Sequence, residues 1–448
     1  MKAYLVGGHV RDIVLAQQKT ESSQQNRSAN CELPYTTGRT LDRDYVVTGA
    51  SIQEMLDANF QQVGAAFPVF LHPDTKDEYA LARREIKSGD KHTDFIFDFS
   101  PDISLAEDAQ RRDFTINALY MDPDSSEILD PTNQGLRDCT DGILRHAGNG
   151  FDEDPLRILR SARFAAQLGF NVAGETVELI LSMVESGMLR HLSRERIDNE
   201  FTRAMSPGYD SVIFLRYLHQ WGVLTQLYPE IQALAHVKEN PSFHWEETVF
   251  EHVLAALDVV RDNCPRVKTA VVYHDIYKPL SYQKKKELQR HVSHDDEDAL
   301  DYLRTYLSQR KFNNQTKQLC KLAVKHHMRM WMIFSGMKAK KWTAMIASIT
   351  HGFRTDYLQQ LKDLLEVCKA DDLSDKTPTC YLGSGGKNRW MTLRDCALQT
   401  FEVCHKIHAR NIEGYAEMDT ARLINELSRL RTKAVLSQVD FFKKAEVD

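Results

Sequence analysis

The rhythm of apolar and polar positions changes about a third of the way along the chain. Up to about residue 145, short apolar runs alternate with turns. They predict strands at Ala3–Val6, Asp44–Thr48, Val69–His72, Glu78–Ala82, Phe95–Phe97 and Ala118–Met121. Helical periodicity in this part is confined to the stretch after Arg11 and to Ile52–Ala58. From Asp154 onward the strand rhythm vanishes, and amphipathic helical windows follow one another to the end. The pattern predicts an α+β fold, a sheet-and-helix head on a long all-α neck, body and tail. The expected divisions are 1–145, 146–235, 236–345 and 346–448. Residues 17–40 break the head pattern. Gln17, Gln18, Ser22, Ser23, Gln24, Gln25, Asn26, Ser28 and Asn30 make the stretch polar, so a flexible loop is expected. Loop length is tolerated cheaply, which favours an insertion over a functional lid.

Composition narrows the class. At 448 residues with 42% apolar and 27% charged residues, the chain reads as a multidomain soluble protein. No apolar run approaches the roughly 18–20 residues of a membrane span, and Met1–Val6 has no leader pattern, so no membrane role is expected. Eight scattered cysteines without a Cys-x-x-Cys pair argue against a disulfide framework or zinc ribbon and fit a reducing cytoplasm. The net charge of −6 means that a nucleic-acid partner must be held by a local basic surface. Lys284-Lys285-Lys286, Lys338-Ala339-Lys340-Lys341 and Arg429-Leu430-Arg431 are candidates, with solvated faces as the plainer reading. Gly383-Ser384-Gly385-Gly386-Lys387 lacks the spacing of a P-loop and reads as a loop.

The candidate chemistry begins at Leu41-Asp42-Arg43-Asp44-Tyr45-Val46-Val47. On a strand, Asp42 and Asp44 share a face and Arg43 points away. Two carboxylates about 6–7 Å apart along a strand are poor neighbours unless a cation lies between them, and hard oxygen ligands suit Mg²⁺. Gly7-Gly8 follows the first strand and precedes a helix, a turn at which backbone can approach phosphates or simply a tight turn. Arg11, one turn on, reads as a phosphate partner or a solvated side chain. Glu78 opens a strand and is a third acidic candidate, or a surface glutamate. In Arg111-Arg112-Asp113, the arginines can neutralise phosphate and Asp113 can accept from a ribose hydroxyl; a charged turn is the alternative. Glu153-Asp154-Pro155-Leu156-Arg157 predicts a helix start with Asp154 as N-cap and Pro155 at the first position, and Gly169 ends the helix. Arg157 and Arg160 share a face of it. In the body, His252, His274-Asp275, His291, His294 and His326-His327 supply imidazoles and a carboxylate able to bind a transition metal and activate water.

Taken together, Val6-Gly7-Gly8-His9-Val10-Arg11-Asp12, Asp42-Arg43-Asp44, Arg111-Arg112-Asp113, Glu153-Asp154-Pro155-Leu156-Arg157 and Leu192-Ser193-Arg194-Glu195-Arg196-Ile197 resemble the signature motifs of class II CCA-adding enzymes (tRNA nucleotidyltransferases) and the related bacterial poly(A) polymerases. The likeness covers 1–16 and 41–230 most strongly. It implies a polymerase-β-like head that adds CCA to the 3′ end of tRNA from CTP and ATP, releasing pyrophosphate. It implies that Asp42 and Asp44 hold two Mg²⁺ ions; Glu78, as a third acidic candidate, could complete that site or position the attacking hydroxyl. Gly8, Arg11 and Arg112 would bind the nucleotide's phosphates and sugar, with Asp113 kept as the candidate acceptor for a ribose hydroxyl. Asp154 and Arg157 would read the base edge, with Arg160 one turn on. A poly(A) polymerase, a CC-adding enzyme and a chain that is mainly a phosphohydrolase are the alternatives.

The body resembles an HD-type phosphohydrolase domain, expected at 236–345 with a metal site at His252, His274, Asp275, His294 and His327, and with Ni²⁺ or another transition metal as its ion. The resemblance implies phosphatase, 2′-nucleotidase and 2′,3′-cyclic phosphodiesterase activities. The motif is degraded: Tyr277 stands where relatives often have glycine, and Met328 follows His327 where an aspartate is expected. An active second site and a retained scaffold both remain open, as do monomer and homodimer. Asp295, Asp296 and Asp298 read as a solvated acidic run.

Overall fold

The computed structural model describes residues 1–25, 43–63, 68–87, 95–239, 246–288, 293–374 and 389–444. The chain forms two compact units, Met1–Glu200 with Arg216–Val223, and Phe201–Leu215 with Leu224–Asp448.

The first unit is built on strands β1 (Lys2–Val6), β2 (Asp44–Thr48), β3 (Gln61–Val63), β4 (Val69–Leu71), β5 (Glu78–Leu81), β6 (Arg84–Lys87), β7 (Phe95–Asp98), β8 (Tyr120–Met121) and β9 (Ile128–Leu129). Seven of them form one mixed sheet in the order β3-β4-β5-β2-β1-β8-β9, and β6 and β7 form a separate hairpin. Alternation along β2 divides the core. Val46 packs on one face with Val6, Ala82, Ala109 and Tyr120. Val47 packs on the other with Met55, Phe70 and Leu81. Both faces are therefore covered. A capping box at Ser51 starts the short helix Ile52–Asp57, which supplies Met55 to the second face.

The expected strands all appear, with ends moved by a residue or two, except that Ala118 and Leu119 lie outside the pairing of β8. Strands β3, β6 and β9 are not among the expected ones: Gln61-Gln62-Val63 and Arg84-Glu85-Ile86-Lys87 are mostly polar, and β9 is two residues long. The strand rhythm also does not vanish wholly after Asp154, because Asn171–Val172 pairs in parallel with Ile143–Leu144. The polar stretch after residue 16 is a second difference. The first helix runs from Gly8 to Gln25, so residues 17–25 continue it rather than form a loop. Gln and Ser cost little in a helix already nucleated. The rest of that expectation, and Asp42 with it, lies outside the described residues, as does Gly383–Lys387.

The second unit is helical. Val249–Val259, Pro265–Tyr273, Asn314–Trp331 and Leu358–Leu373 pack on one another. Their starts are set by local chemistry: Thr248 and Asn313 accept from backbone amides as N-caps, and Pro265 occupies the first turn. Buried ions tie the unit together. Glu230 receives Arg310 and the Tyr273 hydroxyl. Lys268 Nζ donates to the carbonyls of Ser206 and Tyr209 at 2.9 and 3.1 Å. The acidic run is only partly solvated. Asp295 receives Arg329 Nε at 2.9 Å and Asp296 caps Glu297–Gln309, while Asp298 stays exposed beside Lys284.

Candidate nucleotidyl-transfer and metal sites

In the head, one row of registered residues crosses the sheet. β5 pairs with β2 in parallel, Glu78 opposite Asp44. β2 pairs with β1 in antiparallel fashion, Asp44 opposite Val6. β1 pairs with β8, Val6 opposite Tyr120. Residues opposite one another share a face, so Glu78 and Asp44 stand side by side at the starts of their strands, both exposed. Gly7 follows Val6 at the same end, with φ +76, a left-handed conformation that favours glycine. The chain then enters the first helix, with Arg11 N bonded to Gly7 O at 3.1 Å. A glycine turn that opens a helix therefore adjoins the acidic pair.

Behind this edge lie two arginine–carboxylate networks. Asp108 is fully buried and accepts from Arg111, from Arg112 Nε at 3.0 Å and from the Tyr120 hydroxyl at 2.8 Å. Burial raises its pKa, but the charges of Arg112 and Arg111 outweigh that and hold it well below the carboxylate range. The second network runs from Arg11 Nη1 to Asn117 Oδ1 at 2.9 Å, from Asn117 Nδ2 to Asp113 Oδ1 at 3.1 Å, and from Arg160 Nε to Asp113 Oδ2 at 2.9 Å. Asp113 is likewise held low, Arg160 overcoming the effect of burial. The structure thus joins Arg11, Asp113 and Arg160 through Asn117, which sequence reasoning did not single out. Gly8 stands over Arg11: a Cβ there would lie 3.5 Å from Nη2.

The helix carrying Arg157 and Arg160 starts at Leu156, one residue later than expected, with Pro155 before it. Asp154 still acts at the helix start, its Oδ1 accepting from Leu156 N at 3.0 Å, while Oδ2 receives Arg196 Nη2 at 2.7 Å. Arg157 donates to the carbonyls of Gly150 and Arg111. It fastens the Arg-Arg-Asp segment to the helix start.

In the helical unit, two groups of side chains converge. His252, His274, Asp275 and Asp371 form one; Asp275, His294 and His327 form the other. Within each group the ligand atoms lie within 4.8 Å of one another. Asp275 belongs to both. Its Oδ2 is 3.2 Å from His274 Nε2, and its Oδ1 is 3.5 and 3.6 Å from Nε2 of His294 and His327. Asp371 Oδ1 is 3.1 and 3.2 Å from Nε2 of His252 and His274.

The donor set fits a metal. Both Asp275 oxygens and His294 Nε2 are buried without a directional hydrogen bond, although Lys278 Nζ makes a charge contact of 2.7 Å with Asp275 Oδ2. The ring orientations agree. His274 Nδ1 lies 2.6 Å from Val271 O and His327 Nδ1 2.8 Å from Ala323 O. A carbonyl only accepts, so each Nδ1 carries the hydrogen and each Nε2 faces the cluster. Burial presses His327 down to about 4, which keeps it neutral. Burial also pushes His274 down, but Asp275 and Asp371 outweigh it and hold it well above its ordinary value in the metal-free protein.

Asp371 is the residue that sequence reasoning missed. It supplies the carboxylate absent after His327, from a helix beyond the expected boundary at 345. A signal existed. Leu364 and Cys368 are fully buried, and Asp371 continues their i, i+4, i+7 stripe, an acid on an apolar face.

The head fold, with its acidic sheet edge and neighbouring glycine turn, is that of a polymerase-type nucleotidyltransferase, followed here by a helical unit with a cluster of histidines and aspartates able to hold a metal. Family models match as the poly A polymerase head domain over residues 3–145, as the probable RNA and SrmB-binding site of polymerase A over 169–234, and as the HD domain over 249–375. Both the nucleotidyltransferase and HD families are metal-dependent. The chain belongs to the multifunctional CCA protein family: it is 36% identical to the Hahella chejuensis member over 442 residues, 97% of this chain and 95% of that one. It is 40% identical to an Acinetobacter baumannii member over 380 residues, covering 83% and 84% of the two chains. Among solved structures, the fold is similar to the Thermotoga maritima CCA-adding enzyme complexed with tRNA, with TM-score 0.58 and 16% identity over 100% and 91% of the chains. It is also similar to a tRNA-processing enzyme complex with TM-score 0.56 and 20% identity, covering 97% of each. Among the described residues, no helix is long and apolar enough to cross a membrane.

Proposed function

We propose that this chain adds CCA to the 3′ end of tRNA from CTP and ATP without a nucleic-acid template, and that its HD centre is a second, metal-dependent phosphohydrolase site. The register that sets Asp44 between Glu78 and the glycine turn carries the first reading. Asp42, Asp44 and Glu78 form the set that would hold Mg²⁺. Mg²⁺ bound there would lower the pKa of the RNA 3′-hydroxyl and stabilise charge during in-line displacement of pyrophosphate. The chain's own residues do the positioning. Gly7 and Gly8 let the backbone approach the phosphates. Arg112, aimed by Asp108 and Tyr120, and the linked Arg11–Asn117–Asp113–Arg160 network orient the phosphates and sugar. Asp154 accepts from the exocyclic amino group that cytosine and adenine share. Arg157 serves this reading by fixing the helix that presents Asp154. The free described cysteines fit a cytoplasmic protein.

The test is tRNA lacking its terminal CCA, incubated with CTP and ATP singly and together. Ordered addition of two cytidines and one adenosine is expected. Adenylation of any RNA without CTP use would overturn this reading in favour of a poly(A) polymerase. The second reading rests on the shared Asp275 and the three histidines turned toward it. Two ions would occupy it, with Ni²⁺ the first to try. A 2′,3′-cyclic phosphate at an RNA end should be hydrolysed, and His274→Ala should abolish that while nucleotide addition persists. Hydrolysis undiminished in His274→Ala would place the activity elsewhere.

A further inference from the structure

The histidines of the HD centre are oriented by different kinds of group. His274 and His327 are turned by carbonyls of their own helices. The Nδ1 of His252 lies 3.1 Å from a side chain, Ser374 Oγ, and the Ser374 hydroxyl lies 2.7 Å from the carbonyl of Asp371. Both residues are buried, His252 completely and Ser374 nearly so.

Hydrogen accounting fixes the direction of this relay. A serine hydroxyl has one hydrogen to give and two lone pairs. The Asp371 carbonyl can only accept, so the hydroxyl hydrogen goes there. Oγ then accepts, and His252 Nδ1 must donate. With its hydrogen on Nδ1, His252 presents the Nε2 lone pair to the group formed with His274, Asp275 and Asp371. The competing tautomer carries its hydrogen on Nε2, where Asp371 Oδ1 waits 3.1 Å away as acceptor. That tautomer has no lone pair for a metal.

We propose that Ser374 is a positioning residue of the HD metal centre, selecting the metal-binding tautomer of His252 and tying the helix Val249–Val259 to the Asp371 end of Leu358–Leu373. This rests on the metal reading of the HD centre given above. Without the hydroxyl, a neutral His252 pairs its Nε2–H with Asp371, and metal binding would strand a buried Nδ1–H. Groups that orient a metal-bound histidine typically contribute about 10–100-fold in affinity.

The experiment uses the full chain and two probes, Zn²⁺ and Ni²⁺, with binding followed by titration calorimetry. Ser374→Ala should weaken the ion held by His252 by about 10–100-fold, and Ser374→Thr, which keeps the hydroxyl, should restore most of it. In the Zn²⁺-loaded protein, imidazole ¹⁵N spectra should show the hydrogen of His252 on Nδ1. In metal-free Ser374→Ala at alkaline pH, the hydrogen should move to Nε2. Nucleotide addition to tRNA should be equal in all three proteins, which controls for folding. Equal affinity in wild type and Ser374→Ala, with binding lost in His274→Ala, would overturn the role of Ser374 and leave the metal centre standing. So would a Thr variant as weak as the Ala variant, or a hydrogen on Nε2 in the loaded wild type. A wild-type protein that takes up neither ion would overturn both.

Discussion

In the head, Asp44 and Glu78 stand exposed at the starts of neighbouring strands. In the helical body, Asp275 is buried among four histidines, with Lys278 against it. The two arrangements answer the same repulsion differently. Water screens the exposed acids, and the strand register sets them side by side. A buried carboxylate has no such screen and needs positive charge supplied by the fold, here from Lys278 and His274. Lys278 is itself secured by Glu239 at 2.6 Å. The head should therefore tolerate loss of an acid without losing its fold, whereas the body should not.

The sharpest break in that comparison is Asp44→Ala. Nucleotide addition should fall by at least about 10²–10³-fold, as when a group that stabilises developing charge is lost, with the melting temperature and metal uptake of the body unchanged. A comparable loss of stability would show that the acidic edge is structural. Asp275→Ala should behave oppositely. Removing one partner of a buried ion pair costs about 3–5 kcal/mol, and both ions should be lost, as calorimetric unfolding and metal analysis would show. His294→Ala should remove only the ion of the second group and leave the first bound; loss of both, or of neither, would contradict two subsites sharing Asp275.

The pH response should separate the units next. In the head, Asp108 is held well below its ordinary value of 3.8. Its contribution is present above that value and is lost as pH falls through the folded-state value, so Asp108→Asn should flatten the acid limb of urea unfolding. In the body, burial presses Lys268 from 10.5 down to about 8. Between those values the unfolded chain binds more protons than the folded one, so stability should rise with pH across that window. Lys268→Met should remove the rise; an unchanged slope would mean that Lys268 titrates normally. The smallest effect is expected at Arg196, whose pair with Asp154 is half exposed. Such pairs contribute about 0.2–1 kcal/mol. Arg196→Ala should therefore shift KM for CTP and ATP by no more than a few-fold, while Asp154→Ala should disturb the choice between them.

The two sites also differ in how much of each could be read from the sequence. The head motifs are compact: a glycine pair, an alternating acid pair and an arginine pair, each within a few residues of chain. A period of two was enough to place Asp44 on a strand and Glu78 at the start of another; that the two stand opposite one another is shown by the register of β2 and β5. What the sequence could not show was how the arginines are engaged. Arg157 fastens two carbonyls, and Arg11 reaches Asp113 only through Asn117. These are long-range contacts that leave no period. The body cluster draws on helices more than a hundred residues apart in sequence, from His252 to Asp371. The histidines were visible as residue types, but the last carboxylate was hidden by the assumption that it must follow His327. The polar stretch after residue 16 misled for a related reason. Composition describes what a segment can do alone, and residues 17–25 continue a helix already started at Gly8.

Within the described strands of the main sheet, β2 with β5 is the one parallel pair. Two antiparallel strands would set their first residues at opposite ends. Only a connection that returns to the same edge can bring the beginnings of two neighbouring strands together, and here it includes the helix Ile52–Asp57 and strands β3 and β4. The acidic pair is therefore absent from any nascent chain that has not passed residue 81 and docked β5. The pairing of these two acids arrives with topology rather than with sequence, and on the function proposed above an assay of nucleotide addition would double as a report that β5 has docked.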